Sequence, residues 1–495
     1  MHTVVIGAGF GGLAAALRTA ARGHQVTVLD RLPGPGGRGR EFVREAHNSS
    51  ENKQFRYDAG PTVLTAPILF EELFSLFGER LADHVDLMPV TPWYQMRFAD
   101  GTQLDYGGST EQIQDEIAKF SQADALAYPA FLAHSQKLFE KGYEELGSQP
   151  FLGWASMLKA LPAMMRLRAD RSVYDVTARY FKDERVRRAF SIQPLLVGGN
   201  PFDTTSIYSL IHYLERKWGV WFPRGGMARL VDALVALGQR HGVAFVWNAD
   251  VQCITANDGQ ATGVQLQDGR IFKADAVVSN ADAGHTIAKL LPQGLQRPSH
   301  VASKQYSMGL FVWYFSTKRV YADVPHHTIL FGTTYREVLH KIFESQQLTD
   351  DLSIYLHRPT ATDAQYAPAG YDSFYALVPV PNLTAGIDWV TQTAKFKLLL
   401  QSELERRLLP GLSACIVDEH CVTPDYFAHE LLSPLGSGFS ITPKFTQSAG
   451  FRFPNRSPDL PNLYFVGAGT HPGAGVPGVV TSAKVVERLM FGGVQ

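Results

Sequence analysis

The feature that most constrains this chain is at its start, where the apolar run Thr3-Val4-Val5-Ile6 enters Gly7-Ala8-Gly9-Phe10-Gly11-Gly12. An Ala-rich stretch over about residues 13–22 then reads as a helix. Gln25-Val26-Thr27-Val28-Leu29 reads as a second buried strand and ends in Asp30. Strand, glycine turn, helix, strand and acid in this register make the first unit of a Rossmann-like α/β sheet. Gly7 permits the tight turn, Gly9 admits a pyrophosphate to the backbone, and Gly12 lets the helix pack on the strand. The helix start offers free N–H groups to phosphate, and Asp30 is placed to accept hydrogen bonds from a ribose diol. These residues specify a dinucleotide and leave NAD and FAD both open.

Immediately after Asp30, Pro35-Gly36-Gly37-Arg38-Gly39-Arg40 adds a glycine doublet followed by arginines. It allows a second close backbone approach, with a cation beside the phosphates. Here the sequence resembles the flavin-binding amine oxidase and phytoene desaturase superfamily, which has such a doublet after the acidic residue. The resemblance implies FAD, with Gly37 and Arg38 among its contacts. Asp58-Ala59-Gly60-Pro61-Thr62 is similar to the family segment that returns to the flavin, so Pro61 and Thr62 join the expected site; the alternative is an ordinary Gly-Pro turn. The polar stretch between them, with Asn48-Ser49-Ser50, reads as an exposed hairpin or loop.

Near the other end, Asn462-Leu463-Tyr464-Phe465-Val466 reads as a strand that enters Gly467-Ala468-Gly469-Thr470-His471-Pro472-Gly473, and Gly478 opens a helix. A reduced flavin carries negative charge, for which the positive end of a helix is a suitable partner. The stretch, including Ser482, resembles the signature of bacterial-type phytoene dehydrogenases. That implies Gly467, Gly469, Gly478 and Val479 as cofactor contacts. Gly469 stands where the wider superfamily places an acidic residue, so no carboxylate bond to the ribityl chain is expected. His471 is expected to brace the turn rather than to act as a base. By resemblance Val251 pairs its backbone with the adenine; a plain buried strand residue is the alternative.

A chain of 495 residues exceeds one compact core. The resemblance implies an α/β fold: a Rossmann-like FAD-binding domain with an inserted α+β substrate domain and a helical membrane-facing region. The expected segments are 1–105, 211–288 and 453–495 for the FAD-binding domain, 106–210 for the helical region and 289–452 for the substrate domain. Leu195-Leu196-Val197-Gly198-Gly199-Asn200-Pro201-Phe202 and Trp218-Gly219-Val220-Trp221-Phe222-Pro223-Arg224-Gly225-Gly226-Met227 carry the same resemblance. Residues 151–168 are apolar, with Trp and Met, and residues 159–188 hold nine Lys and Arg against four Asp and Glu. An amphipathic segment of this kind can lie among lipid headgroups; core helices with solvated basic faces are the alternative.

The formal net charge of −1 leaves no global field to hold nucleic acid. Cys253, Cys415 and Cys421 lack the spacing of a thiolate metal site or a disulfide framework. Met1 and His2 lead straight into the first strand, so no secretory leader is expected, and no apolar run reaches membrane-spanning length. A cytoplasmic, peripherally membrane-associated enzyme is expected. The family resemblance implies desaturation of phytoene, a polyene dissolved in the membrane, with quinone or oxygen as the final acceptor. Related carotenoid isomerases, later-pathway desaturases and polyene saturases share these motifs and are the alternatives. A non-catalytic prenyl-lipid carrier is a more distant one. The flavin is expected to carry the chemistry. Arg224 is the one candidate catalytic side chain, with a structural salt bridge as its alternative.

Overall fold

A computed structural model describes residues 1–46, 53–151, 162 and 164–492. The strands His2–Ile6 and Gln25–Leu29 pair in parallel, as their apolar residues require when both sheet faces are covered. Three strands from distant parts of the chain complete this sheet, in the order Leu463–Phe465, Ala276–Ser279, His2–Ile6, Gln25–Leu29, Ala244–Val246. All neighbours are parallel. One face packs Val5 and Val28 against the helices Phe10–Ala21, Met227–Arg240 and Val476–Phe491 through Leu13, Leu230 and Val480. The other packs Val4, Val277 and Phe465 against an antiparallel three-stranded sheet through Ile254 and Val264.

A second, seven-stranded sheet runs Ile416–Val422, Gly309–Thr317, Asp372–Val380, Ile354–His357, His327–Leu330, Tyr94–Arg97, Gln103–Tyr106. Every residue of Gly309–Thr317 is buried, and alternate side chains serve opposite faces. Phe311, Trp313 and Phe315 pack under the helix Trp389–Arg407 with Phe396, Leu400 and Leu404. Leu310, Val312 and Tyr314 turn to the other side, toward Tyr375 and Ile329. The boundary expected at residue 105 is corrected here. Tyr94–Arg97 pairs in parallel with His327–Leu330 and antiparallel with Gln103–Tyr106. Its buried Tyr94 and Met96 belong to the core of the seven-stranded sheet, so residues 94–106 leave the company of the first segment.

Between residues 110 and 218 the described residues are mainly helical. Thr110–Ala118 starts with a capping box of Ser109 and Gln112, and Gln122–Phe139, Val173–Tyr180, Glu184–Ser191 and Leu210–Trp218 follow. The expected hairpin is present as Glu41–Glu45 paired with Gln54–Asp58; its tip, with Asn48-Ser49-Ser50, lies outside the described residues. Most of the amphipathic stretch expected over 151–168 also lies outside them. No helix among the described residues is long and apolar enough to cross a membrane.

One ionic cluster ties the helical layer together. Arg18, whose side chain is 3% exposed, bonds Glu72 at 2.8 Å and Glu487 at 2.9 Å, and Lys484 closes on Glu72 at 2.8 Å. Three helices distant in sequence therefore share one guanidinium. Without it Glu72 keeps Lys484 at 2.8 Å and Glu487 keeps Arg22 at 2.7 Å, so Arg18→Ala is expected to cost only the lost charged hydrogen bonds, about 2 kcal/mol, read as a lowered midpoint in urea unfolding followed by circular dichroism.

Candidate functional site

The carboxyl ends of the parallel strands open into a cavity of about 540 Å³, a size that suits a small-molecule or cofactor site. Gly7, Gly9, Asp30, Gly37, Arg38, Pro61, Thr62, Val251, Gly467, Gly469, Gly478 and Val479 all line it. Four chain segments far apart in sequence thus supply one wall. Gly12 does not line the cavity. A Cβ there would stand 1.9 Å from the Gly7 carbonyl oxygen, so Gly12 serves the contact of helix and strand.

The glycine turns converge on a residue whose role the sequence did not disclose. Asn280, just past the strand Ala276–Ser279, donates to the Val466 carbonyl at 3.3 Å. A Cβ on Gly9, Gly11 or Gly467 would come within 2.9 Å of its side chain. These positions are glycine partly because Asn280 fills the space between them. Gly7 also has a φ of +92°, which disfavours any side chain.

Asp30 is 6% exposed. It accepts from the Ala8 N–H at 2.7 Å and the Leu32 N–H at 2.9 Å, so it ties the glycine turn to the second strand. Burial pushes its carboxyl up, and the two N–H donors oppose that. Arg38 is half-buried beside the turn and donates to the Ser433 hydroxyl. Its Nε has no partner, and among the described residues no carboxylate lies within ion-pair distance. The helices Phe10–Ala21 and Val476–Phe491 both start at the cavity without a side-chain cap. A half-buried cation without a carboxylate partner and two uncapped helix starts fit the pyrophosphate of a dinucleotide.

The second glycine turn is held from behind. Ser482 accepts from the Gly467 N–H at 2.9 Å and donates to the Val479 carbonyl at 2.6 Å, which accounts for its place in the signature. Buried Arg452, not singled out from the sequence, donates to the carbonyls of Thr470 at 2.9 Å and Ala468 at 2.6 Å. His471 presents Nε2 to the Leu146 carbonyl at 3.0 Å. A carbonyl only accepts, so the proton sits on Nε2. Burial pushes the imidazole down to about 4, so at neutral pH the ring is an uncharged brace between the turn and residues 146–147.

Arg224 is a correction. It is absent from the cavity lining, its side chain is 48% exposed, and it pairs with Asp86 at 2.7 Å. The strand Trp221–Pro223 pairs with Leu87–Pro89, and this register brings Arg224 to Asp86. The glycines after it have their own cause. Gly226 has a φ of +86° and lies under Tyr366, whose hydroxyl would stand 1.7 Å from a Cβ. Asp58 accepts from the Met227 N–H at 2.9 Å, which anchors the helix that follows.

Away from the glycines the cavity wall is apolar: Ile192, Leu195, Leu196, Ile211, Leu214, Met308, Leu310, Ile329 and Leu377, with Tyr94, Tyr355 and Tyr375. Phe151 and Met164 also line it. One acid enters this part of the wall. Glu215, from the helix Leu210–Trp218, is 1% exposed and accepts from the hydroxyls of Tyr94 at 3.0 Å and Tyr106 at 3.1 Å.

The profile of the family described as flavin containing amine oxidoreductase matches residues 10–486. The chain is 46% identical over 493 residues to a phytoene desaturase (lycopene-forming) of Pseudescherichia vulneris, with 99% of each chain covered. It is 42% identical over 498 residues to a phytoene desaturase (neurosporene-forming) of Rhodobacter capsulatus, with 99% and 94% covered. Among solved structures, an oxidoreductase from Methanosarcina mazei superposes with a TM-score of 0.63 at 18% identity, covering 98% of this chain and 99% of the other.

Two substitutions separate the parts of this site. Gly9→Val places a branched side chain against Asn280 at the cavity wall and is expected to give a folded protein that retains no flavin, read by absorbance after gel filtration. Arg224→Ala is expected to leave flavin content and turnover at wild-type values in the same preparation and a steady-state assay.

Proposed function

The chain belongs to the flavin containing amine oxidoreductase family and is an FAD-dependent oxidoreductase acting on CH–CH groups; on that premise we propose that it desaturates phytoene to more conjugated carotenoids. The observation that carries the substrate assignment is the apolar cavity continuous with the glycine turns, together with relatives named phytoene desaturases along the whole chain. A cavity walled by Ile, Leu, Met and Tyr has few groups to bind an amine and much surface to hold a hydrocarbon. The named products of those relatives, lycopene and neurosporene, differ in the number of double bonds.

FAD, when bound, supplies the two-electron acceptor for the hydrogen removed. The protein's part is to hold and to exclude. Asp30, the glycine turns and Arg38 are the residues to hold the dinucleotide, and Val251 is the backbone partner we assign to the adenine. The start of the helix Val476–Phe491 favours the negative charge of the reduced cofactor. The apolar wall aligns the polyene and keeps water from it, which converts a search in solution into a held geometry.

We take residues 1–93, 211–288 and 453–495 as one cofactor-binding unit, supported by their shared parallel sheet. The seven-stranded sheet and the helices of 110–218 form the substrate-binding part around it. Phe151 and Met164, in the amphipathic stretch, line the cavity. This supports entry of substrate from a membrane surface at that point. A quinone dissolved in the same membrane, or oxygen, is the electron acceptor that suits this placement.

The test is anaerobic incubation of the FAD-loaded protein with phytoene in liposomes and a quinone, followed by mass and absorption spectra. Products lighter by successive pairs of hydrogens, with quinone reduced, are expected. An unchanged mass with altered retention would instead identify an isomerase.

A further inference from the structure

We propose that Glu215 accepts the proton that the substrate loses when a single bond of its chain becomes a double bond. The assignment rests on the desaturase reading and completes it. Desaturation breaks two C–H bonds on neighbouring carbons. At one carbon both electrons leave with the hydrogen, as hydride, to bound FAD, which is reduced by two electrons. At the other the electron pair stays behind as the new π bond, and a bare proton must go to a base. Water is excluded from an apolar cavity, so the base has to be built into the wall.

Glu215 meets the geometric requirement. Its side chain lines the cavity among Tyr94, Ile211, Leu214 and Ile329. The other acids of the lining, Asp30, Asp250, Asp282 and Glu430, lie in segments around the glycine turns and the parallel sheet. Glu215 alone of the lining acids hangs from the helical region and bonds to the seven-stranded sheet.

The hydrogen bonds around it are directed as an ionised carboxylate needs. Tyr94 donates to one oxygen and Tyr106 to the other. With its hydroxyl hydrogen given to Glu215, Tyr106 accepts from the Nδ1–H of His212. The Nε2 of His212 then accepts from the Tyr128 hydroxyl at 3.1 Å. Every donor in this chain points toward Glu215. That orientation favours the ionised carboxylate, the form able to accept a proton. Burial and Arg216 hold His212 neutral, which leaves its Nε2 able to accept from Tyr128.

Among the described residues no cation pairs with the carboxylate. Arg216, on the same helix, donates to the Gly107 carbonyl at 3.1 Å and also to that of Gly108, and it stacks 4.8 Å over Trp93. An unpaired buried carboxylate is costly to fold around, and a glutamine would accept and donate in the same place at lower cost. A chemical role explains its presence. Burial pushes Glu215 up to about 7, held from rising further by Tyr94, Tyr106 and Arg216. A base near that value can both take and release a proton at neutral pH.

The experiment compares FAD-loaded wild type, Glu215→Gln and Tyr94→Phe with phytoene in liposomes across the pH range, alongside an infrared titration of each protein without substrate. Wild-type turnover is expected to fall as pH drops through about 7, because the protonated acid cannot accept. Glu215→Gln should retain its flavin and lose about 100-fold in turnover together with that limb. Tyr94→Phe removes a donor to the carboxylate and should move the limb to higher pH. The carboxylic acid band that titrates with the same midpoint should be missing in Glu215→Gln. Wild-type turnover and an unchanged limb in Glu215→Gln would overturn the assignment, as would an unmoved limb in Tyr94→Phe. If Glu215→Gln fails to fold, the Tyr94→Phe limb and the wild-type infrared midpoint decide. Absence of any lighter product with wild type would overturn the desaturase reading itself.

Discussion

The structure depends on a steric constraint at the ends of its parallel strands. The turns carrying Gly7, Gly9 and Gly467 have to approach one another around Asn280 with almost no side-chain volume between them. Only then can four segments of a long chain present their backbones to one ligand. Asp30 fixes the first two strands relative to the turn through the Ala8 and Leu32 N–H groups. Ser482 and Arg452 fix the last turn from the other side. This wall of the cavity is therefore assembled largely from backbone, with Asp30 bracing it from within the lining and Ser482 and Arg452 from behind.

Around this wall the chain places charges sparingly and for identifiable reasons. The Arg18 cluster lies in the helical layer, where it locks Phe10–Ala21 to the two helices packed against it. Arg38 is half-buried, with no paired carboxylate among the described residues, beside a turn that suits phosphate. His471 is neutral because burial forbids its charge, and so it braces rather than catalyses. Glu215 sits where the wall is otherwise hydrocarbon and hydroxyl. A cavity of this kind suits a substrate whose reactivity lies in its C–H bonds, since any further polar group would have to be desolvated for no gain in binding.

The misassignments and omissions share a cause. Arg224 drew attention because its Pro-Arg-Gly-Gly turn resembled one that faces the flavin, yet the register of Trp221–Pro223 with Leu87–Pro89 turns the side chain out to Asp86. Gly226 of that turn is required by Tyr366 and Asp58 instead. The strands of residues 94–106 turn Tyr94, Met96, Leu104 and Tyr106 into the core of the seven-stranded sheet, and a boundary drawn from motifs could not detect that partner. Glu215 reads in sequence as one more charged residue in an amphipathic helix. Its two tyrosines lie more than a hundred residues earlier.

What the sequence determined by itself was the local chemistry of the backbone. A glycine spacing, a strand-tip aspartate and a glycine-rich turn before a helix each act within about twenty residues, so their consequences are legible without knowing the rest of the fold. They established the α/β class, the dinucleotide and, with the family resemblance, FAD. What only the tertiary structure decided was which side chains the cavity receives. That depends on strand register and on helices crossing sheets, where a shift of one residue moves a side chain to the opposite face. Asn280 between the glycines, Arg224 turned to solvent and Glu215 turned inward are settled by packing between segments that share no local pattern.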